Sequence, residues 1–160
     1  MAPLDLSRPQ RVHVVAIGGA AMNAMALILH AMGHRVSGSD IADSPVVARL
    51  RAAGIDVVIG HDADHVGDAD VVAISTAVRD DNPEVVAARD AGIAVVTRPE
   101  LQGAICALRR AVAVAGTHGK TTTTAMLALA LRAAGLDPSF IVGGVVTGLE
   151  SGTSWTDGEL

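Results

Sequence analysis

Seven consecutive residues, Gly116, Thr117, His118, Gly119, Lys120, Thr121 and Thr122, have the types and order of a loop that holds a polyphosphate. Two glycines let the backbone curl so that its N–H groups converge on phosphate oxygens. A helix opening at the Lys-Thr pair would add the partial positive charge of its N-terminus. The Lys120 ammonium would neutralise the outer phosphates of ATP, which makes it the candidate catalytic residue. The Thr121 hydroxyl would ligate Mg2+. Where the full pattern opens on a glycine this chain has Val114, so the loop is a shortened variant. The alternative is a glycine turn capped by threonines. A strand-like run before the loop and a helix-like run after it favour the phosphate cradle. His118 either contacts substrate or shapes the loop.

A second glycine turn lies near the N-terminus, in Ala16-Ile17-Gly18-Gly19-Ala20-Ala21-Met22-Asn23. Against the dinucleotide pattern G-x-G-x-x-G only the middle glycine, Gly18, is kept; this is the one that lets backbone approach a pyrophosphate. Asp40 follows at about the 20-residue spacing at which an acid holds a ribose hydroxyl. The residues alone fit a dinucleotide such as NAD(P), a nucleoside-diphosphate ligand, or a turn that serves only helix packing. Ser75 and Thr76 end another strand-like run, at the edge where ligands of parallel sheets bind or where turn hydroxyls sit. His61-Asp62-Ala63-Asp64-His65 has metal-like spacing but reads better as a solvated loop with a helix start at Asp62. Gly33 should break the helix between His30 and His34, against a metal site there. The single cysteine, Cys106, excludes an internal disulfide and is expected to be buried and inert in an apolar helix.

These residues need elements to position them. Strands are expected at 12–17, 35–39, 56–59, 71–74, 94–96, 111–115 and 140–142. Helices are expected at 20–32, from Ser44-Pro45 to about Ala53, from Asn82-Pro83 to Gly92, from Arg98-Pro99 to about Leu108, and at 121–134. Ser44 and Asn82 are caps followed by proline in the first turn. Gly33, Gly54, Gly92 and Gly135 are stops. Strands alternating with helices, several of them unbroken Val/Ile runs, argue for an α/β fold with a parallel sheet covered on both faces. Arg109-Arg110 is the expected boundary. A Rossmann-like domain would occupy 1–108, and 109–160 would begin a P-loop domain.

Composition narrows the partners. Half of the 160 residues are apolar, which suits a packed core. Acidic residues outnumber basic ones, 17 to 12, and Phe140 and Trp155 are the only aromatics. Nucleic acid is therefore a poor partner. The most apolar stretch, 20–29, contains Asn23 and is shorter than the ~18 residues a membrane span needs. The first ten residues have no apolar core of a secretory signal. A soluble, cytoplasmic chain is expected.

The run from Ala115 to Met126 resembles the ATP loop of the Mur-type amide ligases of peptidoglycan synthesis. Ser37-Gly38-Ser39-Asp40, Gly60-His61-Asp62, Asn82-Pro83-Glu84, Gly135-Leu136-Asp137-Pro138 and Gly143-Gly144 resemble further segments of that family. The resemblance covers roughly residues 12–148 and is greatest to the branch that joins L-alanine to UDP-N-acetylmuramate. A recycling branch that adds a tripeptide to the same UDP-sugar is its near alternative. It implies that the first half holds UDP-N-acetylmuramate through Gly18, Gly19, Ser39, Asp40, His61, Ser75 and Thr76. ATP would phosphorylate the sugar's carboxylate and an amine would attack the acyl phosphate. The family's first glycine loop usually reads Gly-Ile-Gly-Gly-Ile-Gly-Met-Ser; Ala16, Ala20, Ala21 and Asn23 depart from it. The resemblance also implies that a glutamate completing the Mg2+ site, the adenine site and the amino-acid site lie in later segments. The 160-residue chain alone is thus expected not to turn over. A non-catalytic binding module is a further alternative.

Overall fold

Val and Ile dominate the runs 12–15 and 71–74, whose successive side chains are buried on alternate faces of the sheet, where branched side chains pack well on the pleat. The computed structural model describes residues 4–144, 146–149 and 152–160. Five strands, β1 (Arg11–Val15), β2 (Arg35–Asp40), β3 (Asp56–Ile59), β4 (Val71–Ile74) and β5 (Ala94–Thr97), form one sheet in the order β3-β2-β1-β4-β5. Every neighbouring pair is parallel. Helices α1 (Ala20–Ala31), α2 (Pro45–Ala52), α3 (Pro83–Asp90) and α4 (Arg98–Ala107) connect or follow the strands, with a 3-10 turn at Ala63–Val66 before β4. This is the Rossmann-like α/β arrangement expected from the alternation of strands and helices.

Local chemistry sets the boundaries. The Ser44 side chain accepts from the Val47 N–H at 3.3 Å, and the Asn82 side chain accepts from the Glu84 N–H at 2.9 Å; each caps a helix that has proline in its first turn. Helix α1 buries Met22, Met25, Ile28 and Leu29, which explains why its sequence is apolar nearly all round. One cluster of the core joins Val15, Val66, Val72 and Ala88. Gly38 in β2 sits where a Cβ would meet the Val14 carbonyl oxygen at 2.5 Å and Ile17 Cδ1 at 2.6 Å. The backbone of β1 and the buried Ile17 side chain leave no room there.

The chain divides into two compact units, Met1–Ile105 and Cys106–Leu160. In the second, α5 (Lys120–Ala133) packs on a two-stranded antiparallel ribbon of β6 (Phe140–Ile141) and β7 (Thr153–Ser154). Its core is Ala125, Ala128, Phe140, Val142 and Leu149. Helix α5 ends as its glycine predicted: Gly135 has φ +79°, and the Leu136 N–H returns to the Leu131 carbonyl at 3.0 Å.

Two expectations are corrected, and one strand is added. Residues 111–115 form no strand, because a strand needs a neighbour for its N–H and C=O groups and no ladder among the described residues supplies one. Val112 is accordingly 65 % exposed. Cys106 is exposed rather than buried; it falls near the end of α4, off the face that buries Leu101 and Ile105. The short strand β7 was not expected at all, since Thr153-Ser154 carries no apolar alternation.

Replacing Gly38 with alanine should cost about 1–3 kcal/mol by overpacking. Replacing Gly103, in α4 with open space around it, should raise helix stability by about 0.5–1 kcal/mol. Urea unfolding of the two variants measures both; a Gly38→Ala midpoint equal to the parent's would contradict the packing argument.

Candidate functional site

Strand order reverses between β1 and β4, and in parallel sheets a ligand crevice opens at the carboxyl ends beside such a reversal. The fold brings Gly18 and Gly19, Asp40, His61, Ser75 and Thr76 to those ends, because each directly follows or ends a strand. Asp40 Oδ2 accepts the Gly18 N–H at 2.8 Å, and its Oδ1 accepts the Ala42 N–H at 3.1 Å. A Cβ on Gly18 would lie 2.8 Å from that Oδ2. Glycine is thus required there for the close approach of backbone to carboxylate. Ser75 Oγ accepts the Ala77 N–H at 3.3 Å, a turn bond, and Thr76 is exposed. Asn23, where the family has serine, donates its side-chain amide to the Gly19 and Ala20 carbonyls at 2.8 and 3.1 Å.

Where the dinucleotide pattern has its first glycine, this turn has Ala16. Ala16 has φ +58°, the one positive φ at a non-glycine among the described residues. An L-residue in this left-handed region is strained by roughly 1–2 kcal/mol. The surrounding bonds hold it there: Gly19 N–H to the Ala16 carbonyl at 3.1 Å and Ile17 N–H to the Ser39 carbonyl at 2.9 Å.

Beneath the edge lies a polar cluster that the sequence did not disclose as one. Glu84 is wholly buried, 0 % exposed. Its Oε2 accepts from the Ser39 hydroxyl at 2.7 Å and from His61 Nδ1 at 2.7 Å. Its Oε1 lies 3.2 Å from His13 Nε2, whose ring nitrogen Nδ1 is 2.9 Å from Ser37 Oγ. His65 Nδ1 is also within 3.3 Å of Oε1 but is not aligned for a hydrogen bond, so it stays unpartnered. Burial pushes the Glu84 carboxyl up; hydrogen bonds from His13, Ser39 and His61, with the charge of His13, outweigh it and hold the group below the usual carboxylate range. The signal was present in part: His13, Ser37 and Ser39 are polar positions inside otherwise apolar strands, and His13 pairs in register with Ser37. Ser39, expected at the ligand, is itself fully buried with its hydroxyl spent on Glu84. His61 and His65 do not combine into a metal centre: no group of three or more His, Cys, Asp or Glu among the described residues could hold a metal.

The second candidate loop precedes α5. Gly116 has φ +154° and Gly119, the residue before the helix, φ +78°. Residues 116–120 are exposed. None of the N–H groups of residues 116–122 donates to a protein acceptor among the described residues. The Lys120 ammonium instead rests on the Gly116 carbonyl at 2.5 Å and the Thr117 carbonyl at 3.2 Å. The Thr121 hydroxyl makes no hydrogen bond within the described protein, so it is free to ligate a cation. Gly143 and Gly144 pass beside it; a Cβ on either would lie 3.7 Å from the Thr121 side chain.

A parallel sheet whose strand order reverses between β1 and β4, and a helix whose leading amides are unspent, are features shared with nucleotide-binding α/β folds. The chain belongs to the Mur ligase family, whose catalytic-domain profile matches residues 11–110. It is similar to the UDP-N-acetylmuramate–L-alanine ligase of Agrobacterium fabrum, 48 % identical over 148 residues, which cover 92 % of this chain and 31 % of that protein. Among solved structures it resembles the UDP-N-acetylmuramate–alanine ligase of Thermotoga maritima, with a TM-score of 0.86 and 37 % identity over 94 % of this chain and 36 % of that one. The UDP-N-acetylmuramate:L-alanyl-γ-D-glutamyl-meso-diaminopimelate ligase of Neisseria meningitidis follows, with a TM-score of 0.83 and 35 % identity over 91 % of this chain and 46 % of that one. The chain thus spans about a third of the length of the curated relatives it matches. Mur ligases are ATP-dependent. No helix among the described residues is long and apolar enough to cross a membrane.

Two outcomes test the local reading. Ala16→Gly should raise stability by about 0.5–1 kcal/mol, since the relieved strain exceeds the added chain entropy; a lower urea midpoint would refute it. The lowered Glu84 pKa means that its contribution is fully present above its ordinary value of 4.5 and is lost as pH falls through the folded value. The parent should therefore lose more stability than Glu84→Gln between about pH 5 and 3, and parallel losses would show that Glu84 does not titrate in that window.

Proposed function

We propose that this chain supplies the UDP-sugar site and the phosphate loop of an ATP-dependent ligase that joins L-alanine to UDP-N-acetylmuramate. The observation that carries the reading is the run of unspent amides at residues 116–122, closed by Lys120 and leading into α5. In this reading residues 1–108 form the UDP-sugar-binding domain, and residues 109–160 begin the ATP-binding domain. Gly18, Gly19, Ser39, Asp40, His61, Ser75 and Thr76 serve the UDP-sugar crevice. Ser39 serves it from below, through Glu84. Gly116, Thr117, His118, Gly119, Lys120, Thr121 and Thr122 serve ATP.

The chemistry needs charge screened on a moving phosphoryl group and that group aligned with a carboxylate oxygen. The loop amides donate to phosphate oxygens without having to break other bonds first. The Lys120 ammonium leaves the Gly116 and Thr117 carbonyls, which are neutral acceptors, for phosphate oxygens, which are charged ones. Thr121 offers its hydroxyl to Mg2+, which when bound would neutralise phosphate charge. The sugar's carboxylate would become an acyl phosphate, and an amine would displace the phosphate.

A second reading, the recycling ligase that transfers a tripeptide to the same sugar, is favoured by the similarity to the Neisseria meningitidis ligase at nearly the same TM-score. This segment is similar to both ligases. In a ligase assembled around this segment, phosphate release with L-alanine would select the first and release with the tripeptide alone the second.

Titration calorimetry of ATP-Mg tests the loop. Lys120→Ala should weaken binding by about tenfold or more, as expected for removing a charge-assisted contact, with the thermal midpoint unchanged because Lys120 is exposed. Equal ATP-Mg affinity in the variant and the parent would reduce the loop to architecture.

A further inference from the structure

The segment Asn82-Pro83-Glu84 opens α3, and its glutamate is wholly buried yet bonded to three side chains. A buried carboxylate is costly: removing it from water takes several kcal/mol even after relaxation. An apolar residue in the first turn of α3 would have packed against the same strands more cheaply. Stability alone therefore gives no reason for an acid here, and the arrangement of its partners gives another.

An ionised carboxylate can only accept hydrogen bonds. Each group that bonds Glu84 must then present a proton to it. His61 must carry one on Nδ1, which lies 2.7 Å from Oε2. The Ser39 hydroxyl, on the same Oε2, must point its proton away from His61. A neutral His61 so held has its second ring nitrogen, Nε2, bare and able to accept. That nitrogen has no protein partner and is not among the buried unpartnered atoms, so it reaches solvent. His61 is 19 % exposed on a carboxylate that is 0 % exposed. It follows β3 after Gly60, whose N–H is tied to the Asp40 carbonyl at the end of β2 at 2.8 Å. The open edge of the imidazole therefore belongs to the carboxyl end of the sheet.

The geometry points to Glu84 as a positioning residue that fixes the His61 ring and its tautomer so that Nε2 accepts an N–H or O–H of the ligand in the crevice. The chemical class follows: an imide N–H or a sugar hydroxyl, both carried by a uridine-diphosphate sugar, and not a further anion. The inference rests on the reading of this crevice as the UDP-sugar site. His13 completes the device from the other side. Its Nε2–H faces Oε1 and its Nδ1 meets Ser37 Oγ, so β1 and β2 clamp the carboxylate that aims His61.

Imidazole nitrogen NMR and calorimetry with UDP-N-acetylmuramate test this together. In the parent, His61 should carry its proton on Nδ1, and added UDP-N-acetylmuramate should shift Nε2. Glu84→Gln can donate its own amide to Nδ1 and should release the tautomer. It should weaken UDP-N-acetylmuramate by about tenfold, the value of one lost hydrogen bond. Glu84→Asp, which keeps the charge, should recover part of the loss. A merely structural Glu84 would move the thermal midpoint and leave the His61 tautomer and the ligand affinity as they were, and that result would overturn the proposal. Should Glu84→Gln not fold, His61→Ala decides instead, since it spares the carboxylate; parent-like affinity overturns the proposal, and a tenfold loss supports it. A proton found on Nε2 of the parent also overturns it. No binding of UDP-N-acetylmuramate by the parent sinks the reading of the crevice, a different failure from binding that ignores Glu84.

Discussion

The first turn of an α-helix leaves backbone N–H groups that the helix's own pattern cannot use, and the chain must find them partners or leave them to a ligand. This protein meets that constraint twice, each time where a glycine turn leads into a helix. Ahead of α1 the turn amides are spent inside the protein, while those of Ala20, Ala21 and Met22 in the first helical turn have no protein acceptor among the described residues. Ile17, Gly18 and Gly19 donate to the Ser39 carbonyl, the Asp40 carboxylate and the Ala16 carbonyl. Ahead of α5 none of the amides from 116 to 122 has a protein acceptor among the described residues. One junction carries its own anion, Asp40. The other has a cation, Lys120, resting on carbonyls, and amides open to an anion from outside.

That difference orders the functional reading. A turn whose amide already holds a carboxylate is poorly placed to take a further phosphate, and better placed to present hydroxyl and ring contacts from the neighbouring strand ends. A loop with seven free amides, an ammonium and an unspent threonine hydroxyl is placed for polyphosphate. The division suits a protein that handles a neutral part of one nucleotide ligand and the phosphates of another.

Much of this architecture was legible in the residues because it depends on local rules. Unbroken Val/Ile runs, cap-then-proline starts at Ser44 and Asn82, and stops at Gly33, Gly54, Gly92 and Gly135 act within a few residues of themselves. What was not legible depends on partners far along the chain. Residues 111–115 have strand composition, but a strand is made by its neighbour. Cys106 lies on an apolar helix, but which face is covered is decided by packing, not by composition. The Glu84 cluster joins residues 13, 37, 39, 61 and 84 from three elements and a loop, and no spacing rule connects them. The alanine at position 16 was visible as a departure, but only its φ shows that it sits in the left-handed region.

Backbone amide NMR during addition of ATP-Mg addresses the central claim most directly, because it observes the donors themselves rather than a side chain beside them. The account predicts large shifts confined to the amides of residues 116–122, with the Gly18 amide, already bound to Asp40, little changed. Shifts concentrated at Gly18 and Gly19 with residues 116–122 silent would contradict it.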